Sequence, residues 1–380
     1  MSLETGWQTS LFPPEEAPDP LLCWLWLAHT LGAASPRAGR VLDVFGGPQE
    51  AWEARSSAAF RQAAGPVAAQ RAAQPDNTPE AQRPLVERCR RLGVRILPFD
   101  DADYPLALAR IPDMPLVLYC TGDTAWLNQP GAVGMVGSRL PTEYGLQAAD
   151  ALGRGLAQGG AVIVSGLADG LDSAAHRAAV SAYRPTIGVL GVPIDRTYPA
   201  ANAGLRRSIE QCGCVISEYA PGEPPGRYGF LQRNRLIAAL GSALVVLEAK
   251  EKSGTMSTVA HAERYGKPVF AVPGSIFSPH SAGTNRLLQS GRARAACAAP
   301  DLLAALGLLD GDPPPQAPAQ PPPLGETERR VLSCIGPEPR GVEELAVRSG
   351  LPTAVLLGSL MRLELSGRVL CQPGKRYVLR

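Results

Sequence analysis

Short apolar runs alternate with amphipathic stretches over the middle of this 380-residue chain. The apolar runs predict strands at residues 133–137, 161–165, 186–190, 214–218, 243–249 and 268–273. Helical periodicity fills the gaps between them, at about 142–158, 171–182, 202–212, 233–240 and 255–265. Apolar strands joined by crossover helices form a parallel sheet that is covered on both faces. The pattern therefore predicts an α/β, doubly wound, Rossmann-like domain, which binds ligands at the carboxyl ends of its strands.

The N-terminal part of the chain has a helical pattern. Residues 1–20 are polar and proline-rich, which predicts an unstructured lead, and residues 21–92 carry the short periodicities of a small helical domain. A turn at residues 31–36 lacks the second glycine of a phosphate-binding helix hairpin. We therefore expect this domain to act as a scaffold or to bind a partner.

The sheet domain extends over residues 93–309, because two further strands are predicted at 94–99 and 116–120. Residues 310–323 (DGDPPPQAPAQPPP) predict a stiff, solvated linker. Residues 324–380 carry three helical patterns followed by two short strands, which predict a winged helix-turn-helix.

Charge is distributed unevenly along the chain. Basic residues number 11 against 15 acidic in residues 1–130, 17 against 11 in 131–300, and 9 against 9 in 301–380. The net +6 of the middle part permits a polyanionic partner without requiring one. The eight cysteines form no C-x-x-C pair, which favours reduced thiols and no metal site. No apolar segment is long enough to span a bilayer, so we expect a cytoplasmic protein without membrane contact.

The first strand of the sheet ends in a turn that suits a phosphate. Gly137, Ser138 and Arg139 stand at a strand-to-helix junction, where free N–H groups and the helix dipole favour an anion. The spacing is not G-x-G-x-x-G, and no acidic residue ends the second strand, so no nicotinamide cofactor is expected. The alternative is a tight turn with a surface arginine.

The second turn begins with Ser165 and Gly166 and leads to Asp172 and His176. Asp172 and His176 lie one helical turn apart, a spacing that permits a general acid/base pair. An aspartate at a helix start more often caps the helix, and we expect the cap. No nucleophile on a glycine elbow accompanies them, so no catalytic residue is predicted.

A helix near residue 233 carries two arginines. Arg233 and Arg235 are two residues apart and so point about 200° away from each other around a helix. We expect Arg233 to lean towards the carboxyl edge of the sheet, while Arg235 points aside or pairs with a carboxylate. Both arginines are nevertheless included among the candidate DNA contacts. Asn234 lies between them, and Phe230 is either a stacking surface for a base or a core residue.

A third turn consists of four small, polar or cationic residues, Lys252, Ser253, Gly254 and Thr255. It lacks the G-x-x-x-x-G-K-[ST] spacing of a nucleoside triphosphatase, so ATP hydrolysis is not expected. A last cluster of this kind includes Gly274, Thr284 and Asn285. Together the turns predict one basic rim with no cofactor and no metal, and the phosphate backbone of single-stranded DNA as its ligand.

Ordered motifs over about residues 131–291 carry a family resemblance. The motifs are GSR-P-T-x-YG, SGLA-G-D-AAH, YP-x-x-N, F-x-x-RNR-x-I, EA-x-x-x-SG-T, VFAVPG and GTN-x-L. In this order they resemble the DprA (Smf) family of bacterial DNA-processing proteins. The resemblance implies N-terminal SAM-like helices, an extended Rossmann domain and a C-terminal winged helix. It also implies a homodimer that binds single-stranded DNA without sequence preference, protects incoming strands and loads RecA recombinase in transformation.

Matching the family motifs implies ten DNA-contacting residues, Gly137, Ser138, Arg139, Phe230, Arg233, Asn234, Lys252, Ser253, Gly254 and Asn285. Two departures stand out, since Asp169 replaces a frequent basic residue and Val192-Pro193 replaces Cys-Gly. The third helix of the winged helix offers only Arg362 among apolar residues, so a partner contact or an intramolecular contact there is favoured over duplex reading.

Two other functions compete with this interpretation. A nucleoside-monophosphate phosphoribohydrolase has a similar glycine-threonine phosphate turn, but its catalytic glutamate would have to be Glu263, which lies a turn or more too late. A regulator that acts through its winged helix would instead bind duplex DNA with residues 324–380.

Overall fold

The computed structural model describes residues 18–308 except 225 and 227, and residues 324–379 except 337, 366, 367 and 373–375. The predicted unstructured lead falls almost wholly outside the described residues, and the predicted proline-rich linker falls wholly outside them.

The N-terminal unit is helical. Its helices are α1 (Pro20–Leu31), α2 (Ala38–Phe45), α3 (Pro48–Glu53), α4 (Ala58–Ala64), α5 (Pro66–Ala72) and α6 (Arg83–Leu92), with a 3₁₀ turn at Glu80–Gln82. They enclose the fully buried Trp26 and Phe60, whose ring centroids are 6.0 Å apart. The turn after α1 is docked on the sheet domain, because the backbone N–H of Ala34 donates to Glu218 Oε1 at 3.0 Å. This contact links the helical unit to the sheet domain.

The large sheet contains β1 (Arg95–Pro98), β2 (Val117–Gly122), β3 (Ala132–Val136), β4 (Val162–Ser165), β5 (Thr186–Leu190), β6 (Cys214–Ser217), β7 (Ala243–Val246), β8 (Val269–Ala271) and β9 (Arg294–Ala295). Their order is β1-β2-β6-β5-β4-β3-β7-β8-β9. All neighbours from β6 to β9 pair in parallel, while β1 and β2 add an antiparallel edge beside β6. The predicted doubly wound fold is thereby confirmed. Strand β9 was not predicted, since it is two exposed residues long and has no apolar pattern.

The helices of this domain are α7 (Leu106–Ala109), α8 (Glu143–Gln158), α9 (Leu171–Ser181), α10 (Ala203–Cys212), α11 (Gly229–Leu240), α12 (Thr255–Arg264), α13 (Ala282–Gln289) and α14 (Ala299–Ala305), with 3₁₀ turns at Thr124–Asn128 and Ala200–Asn202. Successive residues of β3 face opposite sides of the sheet. Val133 and Met135 pack in the core that includes α8 and α9. Ala132 and Val136 pack in the core that includes α11. Burial on both faces explains why the strand is apolar throughout.

The C-terminal unit is a winged helix. It contains α15 (Glu326–Cys334), α16 (Val342–Ser349) and α17 (Thr353–Leu365), with a three-stranded sheet of β10 (Arg340–Gly341), β11 (Val369–Gln372) and β12 (Arg376–Leu379). Its core forms around Leu356, Leu360 and Leu363 of α17. Arg362 donates to Glu328 at 2.7 Å, so the arginine singled out in this helix is already paired with a carboxylate.

Candidate nucleic-acid interface

A crevice of about 350 Å³ opens at the carboxyl edge of the sheet. It lies where the strand order reverses, with β4 to β6 on one side of β3 and β7 to β9 on the other. Ligands of doubly wound sheets bind at this switch point. The crevice is lined by Val136, Gly137, Ser138, Arg139, Leu140, Ala168, Asp172, Phe230, Leu231, Arg233, Asn234, Ala249, Lys250, Ser253, Gly254, Thr255 and Thr258. Nine predicted site residues are thus brought together.

The turn after β3 is held rigidly in front of α8. The backbone N–H of Ser138 donates to the Glu248 carbonyl at 2.9 Å. Its hydroxyl donates to the Leu140 carbonyl at 2.9 Å and accepts from the Leu140 N–H at 3.1 Å. The hydroxyl of Ser138 therefore shapes the turn, and the exposed guanidinium of Arg139 is the group presented to a ligand.

Arg139 and Phe230 form one composite surface. The guanidinium carbon of Arg139 lies 5.2 Å from the centroid of the Phe230 ring, within the range of a cation–π contact. The half-buried Phe230 rests on Gly191, where an added Cβ would come within 2.9 Å of the ring. A flat aromatic face beside a cation suits a nucleobase with its phosphate.

Arg233 forms the floor of the crevice. Its side chain is 3% exposed, and Nη1 donates to the Val189 carbonyl at 2.7 Å. Burial lowers the pKa of this arginine, and the Asp172 carboxylate opposes the shift. The predicted lean of Arg233 towards the carboxyl edge is confirmed, and its charge adds to the potential of the crevice from below.

Residue 166 must be a glycine, because the side chain of Arg233 lies against it. A Cβ at this position would lie 1.6 Å from Arg233 Nη1. Gly166 therefore supports the floor of the crevice without lining it. Ser165 is fully buried and donates to the Met135 carbonyl at 2.5 Å, so it joins two strands and does not reach a ligand.

Gly166→Ala should therefore displace Arg233 and destabilise the protein. Overpacking at a tight site costs about 1–3 kcal/mol, to be measured by urea unfolding. Gly254→Ala is the matched control, because a Cβ there meets nothing within 4 Å. Equal unfolding free energies for the two variants would show that the close contact with Arg233 is not important.

Asp172 and His176 do not cap α9 or form an acid/base pair. The N-cap position is Gly170, with φ 78°, so the predicted aspartate cap is wrong. The Asp172 carboxyl is instead buried beneath the crevice. Burial raises its pKa, while the charges of Arg233 and Arg139 and the nearby backbone of Gly137 and Gly166 oppose the rise.

His176 is a neutral core residue. Thr186 Oγ1 donates to the Ile163 carbonyl at 2.7 Å, so His176 Nδ1 is the donor in its 2.7 Å bond to the same hydroxyl. Burial lowers the pKa of His176 to about 3. The imidazole therefore stays uncharged at neutral pH and cannot act as a general acid there.

The free energy of unfolding should fall at low pH, because His176 is neutral in the folded protein and becomes protonated when the chain unfolds. The unfolded chain binds a proton near pH 6.5 but the folded imidazole does not, so the stability contributed by its neutral form is lost as the pH falls towards about 3. Between pH 7 and pH 4.5 this amounts to about 2.5 kcal/mol. His176→Asn should show a pH dependence of unfolding that is weaker by that amount. An identical acid-induced loss in the variant would contradict this account.

The third turn presents the start of α12 to the crevice. Its N-cap residue, Gly254, has no side chain, and the positive end of the α12 helix dipole faces the crevice. The backbone N–H groups of Met256 and Ser257 already donate to the Ser253 and Gly254 carbonyls at 3.1 Å, so the dipole is what favours an anion there. Asn234 Nδ2 fixes this end by donating to the Gly254 carbonyl at 3.3 Å and to Ser257 Oγ at 2.8 Å. Thr255 Oγ1 donates to the Gly137 carbonyl at 3.2 Å and so joins the first and third turns.

The lysine that lines the crevice is not the one that the sequence predicted. Lys250, which was not predicted, lines the crevice, whereas Lys252 is exposed beside it. The chain continues into the crevice after β7 ends at Val246, and Lys250 is the first cationic residue after the strand. The signal was its position directly after the apolar run ALVVLEA.

Arg235 does not reach the crevice. Its side chain is 1% exposed and forms a salt bridge with Glu218, so the predicted pairing with a carboxylate is confirmed. This burial corrects its inclusion among the DNA contacts. The same Glu218 accepts from Ala34 and thereby joins the helical unit to the sheet domain.

The last predicted cluster also lies outside the crevice. Asn285 donates to the Gly274 carbonyl at 3.0 Å and accepts from the Gly274 N–H at 3.1 Å. Thr284 is buried and donates to the Ser281 carbonyl at 3.1 Å. Since their polar groups bond to one another or to backbone, these residues clamp the loop between β8 and α13.

The crevice carries more positive than negative charge. Arg139, Arg233 and Lys250 line it against a single carboxylate among its lining residues, Asp172. Within the described ranges, no three His, Cys, Asp or Glu side chains are grouped to hold a metal ion. No helix among the described residues is long and apolar enough to cross a membrane. Fold and crevice define a Rossmann-type protein with a basic ligand site at its switch point, joined to a winged helix.

Comparison with known proteins identifies the family. A model of DNA recombination-mediator protein A matches residues 95–307, and one of the DprA winged helix domain matches residues 314–375. A protein of Mycobacterium tuberculosis is 39% identical over 312 residues, which are 78% of this chain and 79% of that protein. The DNA processing protein DprA of Bacillus subtilis is 38% identical over 213 residues, 56% of this chain and 71% of the relative. The chain belongs to the DNA recombination-mediator protein A family.

Two solved structures share the fold. DNA processing protein A of Streptococcus pneumoniae superposes with a TM-score of 0.65 at 32% identity, covering 74% of this chain and 97% of that one. DNA processing protein A of Helicobacter pylori, described with a single-stranded DNA binding mode, gives a TM-score of 0.52 at 37% identity over 56% of this chain and 95% of that one.

Proposed function

We propose that this protein binds single-stranded DNA without sequence preference and takes part in DNA processing during transformation. The observation that carries the proposal is the crevice at the switch point, where Arg139 lies over Phe230 and the positive end of the α12 dipole faces the same space. Such a site offers a stacking face that every base can use and positive potential for phosphate. The single-stranded DNA binding mode described for the Helicobacter pylori relative supports the same ligand.

Competition binding tests this proposal. A fluorescent oligothymidylate is bound by the full-length protein and displaced by unlabelled single strands of mixed sequence, by duplex DNA and by nucleoside monophosphates. We expect all single strands to compete within a few-fold of one another and the duplex to compete poorly. Preferential displacement by duplex would favour the regulator that acts through its winged helix.

We also propose that the crevice binds its ligand without breaking a bond. Glu263, the nearest equivalent of a phosphoribohydrolase glutamate, is held by Arg292 in two hydrogen bonds of 2.7 and 2.8 Å and does not line the crevice. Incubation with nucleoside monophosphates, followed by chromatography, should yield no free base. Release of base that is abolished by Asp172→Asn would establish the enzymatic alternative.

Recombination is the process in which the bound strand would be used. We propose a cytoplasmic homodimer that protects incoming strands and loads RecA recombinase on them, in line with the family's description as a recombination mediator. Sedimentation measures the dimer directly. RecA assembly on strands coated with single-strand-binding protein should accelerate when this protein is added, and an unchanged rate would contradict the loading role.

A further inference from the structure

A second aromatic ring continues the Phe230 surface outside the crevice. Tyr198 is 53% exposed, and its ring centroid lies 5.2 Å from that of Phe230 at an interplanar angle of 48°. Tyr198 belongs to the loop between β5 and α10, whereas Phe230 stands at the start of α11. Two elements distant in sequence thus place their rings side by side on the rim.

The crevice is too small to hold a strand. Its volume of about 350 Å³ is at the lower end for small-molecule sites, so a polymer bound in it must continue along the surface. The loops that follow β7, β3, β4 and β5 succeed one another along the carboxyl edge. A strand that enters beside Lys250 and crosses Phe230 therefore arrives at the loop that carries Tyr198.

The charge of this loop also favours a nucleotide. Arg196 is exposed two residues before Tyr198, and its side chain forms no ion pair with any described residue. The negative charge of the adjacent Asp195 is offset by Arg88, whose Nη2 lies 3.4 Å from Asp195 Oδ2. An exposed ring and an exposed guanidinium are the two groups that hold a base and its phosphate in sequence-tolerant binding.

We propose that the loop between β5 and α10 forms a second nucleotide subsite, in which Tyr198 stacks on a base and Arg196 binds the adjoining phosphate. The subsite extends the single-strand path from Phe230 and rests on the proposed function. Its ligand is the next part of the same strand that occupies the crevice.

The length of the bound strand separates this subsite from the crevice. Affinities are measured with the mononucleotide thymidylate, which can occupy only the crevice, and with an oligothymidylate of about 16 nucleotides, the upper end of single-strand site sizes. Tyr198→Ala should weaken binding of the longer ligand about tenfold and leave the shorter one unchanged, because one stacked base is lost. Tyr198→Phe keeps the ring and should retain wild-type affinity.

Arg196→Ala tests the phosphate contact with the same ligands. For the longer strand, the magnitude of the slope of log affinity against log salt concentration should decrease by about 0.7, which is the contribution of one phosphate contact. Arg61→Ala, which removes an exposed charge from α4 in the helical unit, is the control and should change nothing. Equal loss for both ligands in Tyr198→Ala would show that Tyr198 only supports Phe230, and would overturn the subsite.

Cross-linking gives an independent readout. Halogenated pyrimidines at successive positions of a long strand are irradiated, and the attached peptides are identified by mass spectrometry. We expect one position to link to Tyr198. Linkage to Phe230 but never to Tyr198 would refute the subsite while leaving the proposed function intact, and absence of binding by the wild-type protein would refute the proposed function itself.

Discussion

Arg235→Ala will lower the free energy of unfolding by about 3–5 kcal/mol, because it leaves the carboxylate of Glu218 buried without its partner. The side chains of Arg235 and Glu218 are 1% and 8% exposed, so water cannot replace the lost interaction. Glu218 also holds the turn at Ala34, so the helical unit should loosen from the sheet domain in the same variant. Urea unfolding and limited proteolysis measure the two effects.

An exposed ion pair serves as the control, because it shows whether the loss of stability in Arg235→Ala depends on burial of the pair. Arg292→Ala breaks the bidentate pair with Glu263, whose side chains are 49% and 34% exposed, and should change stability little. Arg235→Met with Glu218→Leu is prepared beside Arg235→Ala and should regain stability through apolar packing, so the prediction is still tested if Arg235→Ala does not fold. Similar losses for Arg235→Ala and Arg292→Ala would contradict the structural role.

Arg139→Ala will weaken binding of single-stranded DNA about ten- to hundredfold at low salt. The variant loses a charge-assisted hydrogen bond to phosphate and the cation beside the stacking face of Phe230. Stability should not change, since Arg139 is exposed and its turn is held by Ser138. Anisotropy with strands of several sequences measures the loss, which should be uniform among them.

Arg61→Ala is again the control for removing one positive charge, because it lies on the helical unit. Wild-type affinity in Arg139→Ala would remove the turn after β3 from the interface. A loss confined to one sequence would contradict binding through backbone and stacking.

The strands of the sheet were predictable because burial on both faces leaves a continuous apolar run. Residues 186–190 were predicted as the strand that β5 forms, and β3 differs from its prediction by one residue. The run at 243–249 was predicted too long, because Leu247 and Ala249 are buried beyond the last paired residue, Val246. Burial and strand pairing give the same apolar signal in sequence, so the end of β7 could not be located.

The site was predictable as far as it depends on turn chemistry. Ser138 lies in the segment between β3 and α8, and Ser253 and Gly254 lie in the segment between β7 and α12; the parallel sheet brings such segments to one edge. Which polar groups remain free could not be predicted, because it depends on contacts distant in sequence. Asn285, like Asn234, is an asparagine beside an arginine in a segment predicted to contact DNA, but it bonds to Gly274 outside the crevice. The position of Tyr198 could not be predicted for the same reason, since only the fold places it against Phe230.

Salt dependence of single-strand affinity tests the central claim most directly, namely that the rim binds the backbone of a polyanion. The affinity of the wild-type protein for a long oligothymidylate is measured over a salt series. With three or four cations contacting phosphates, log affinity should fall against log salt with a slope of about −2 to −3. A slope near zero, or no binding at low salt, would contradict the account.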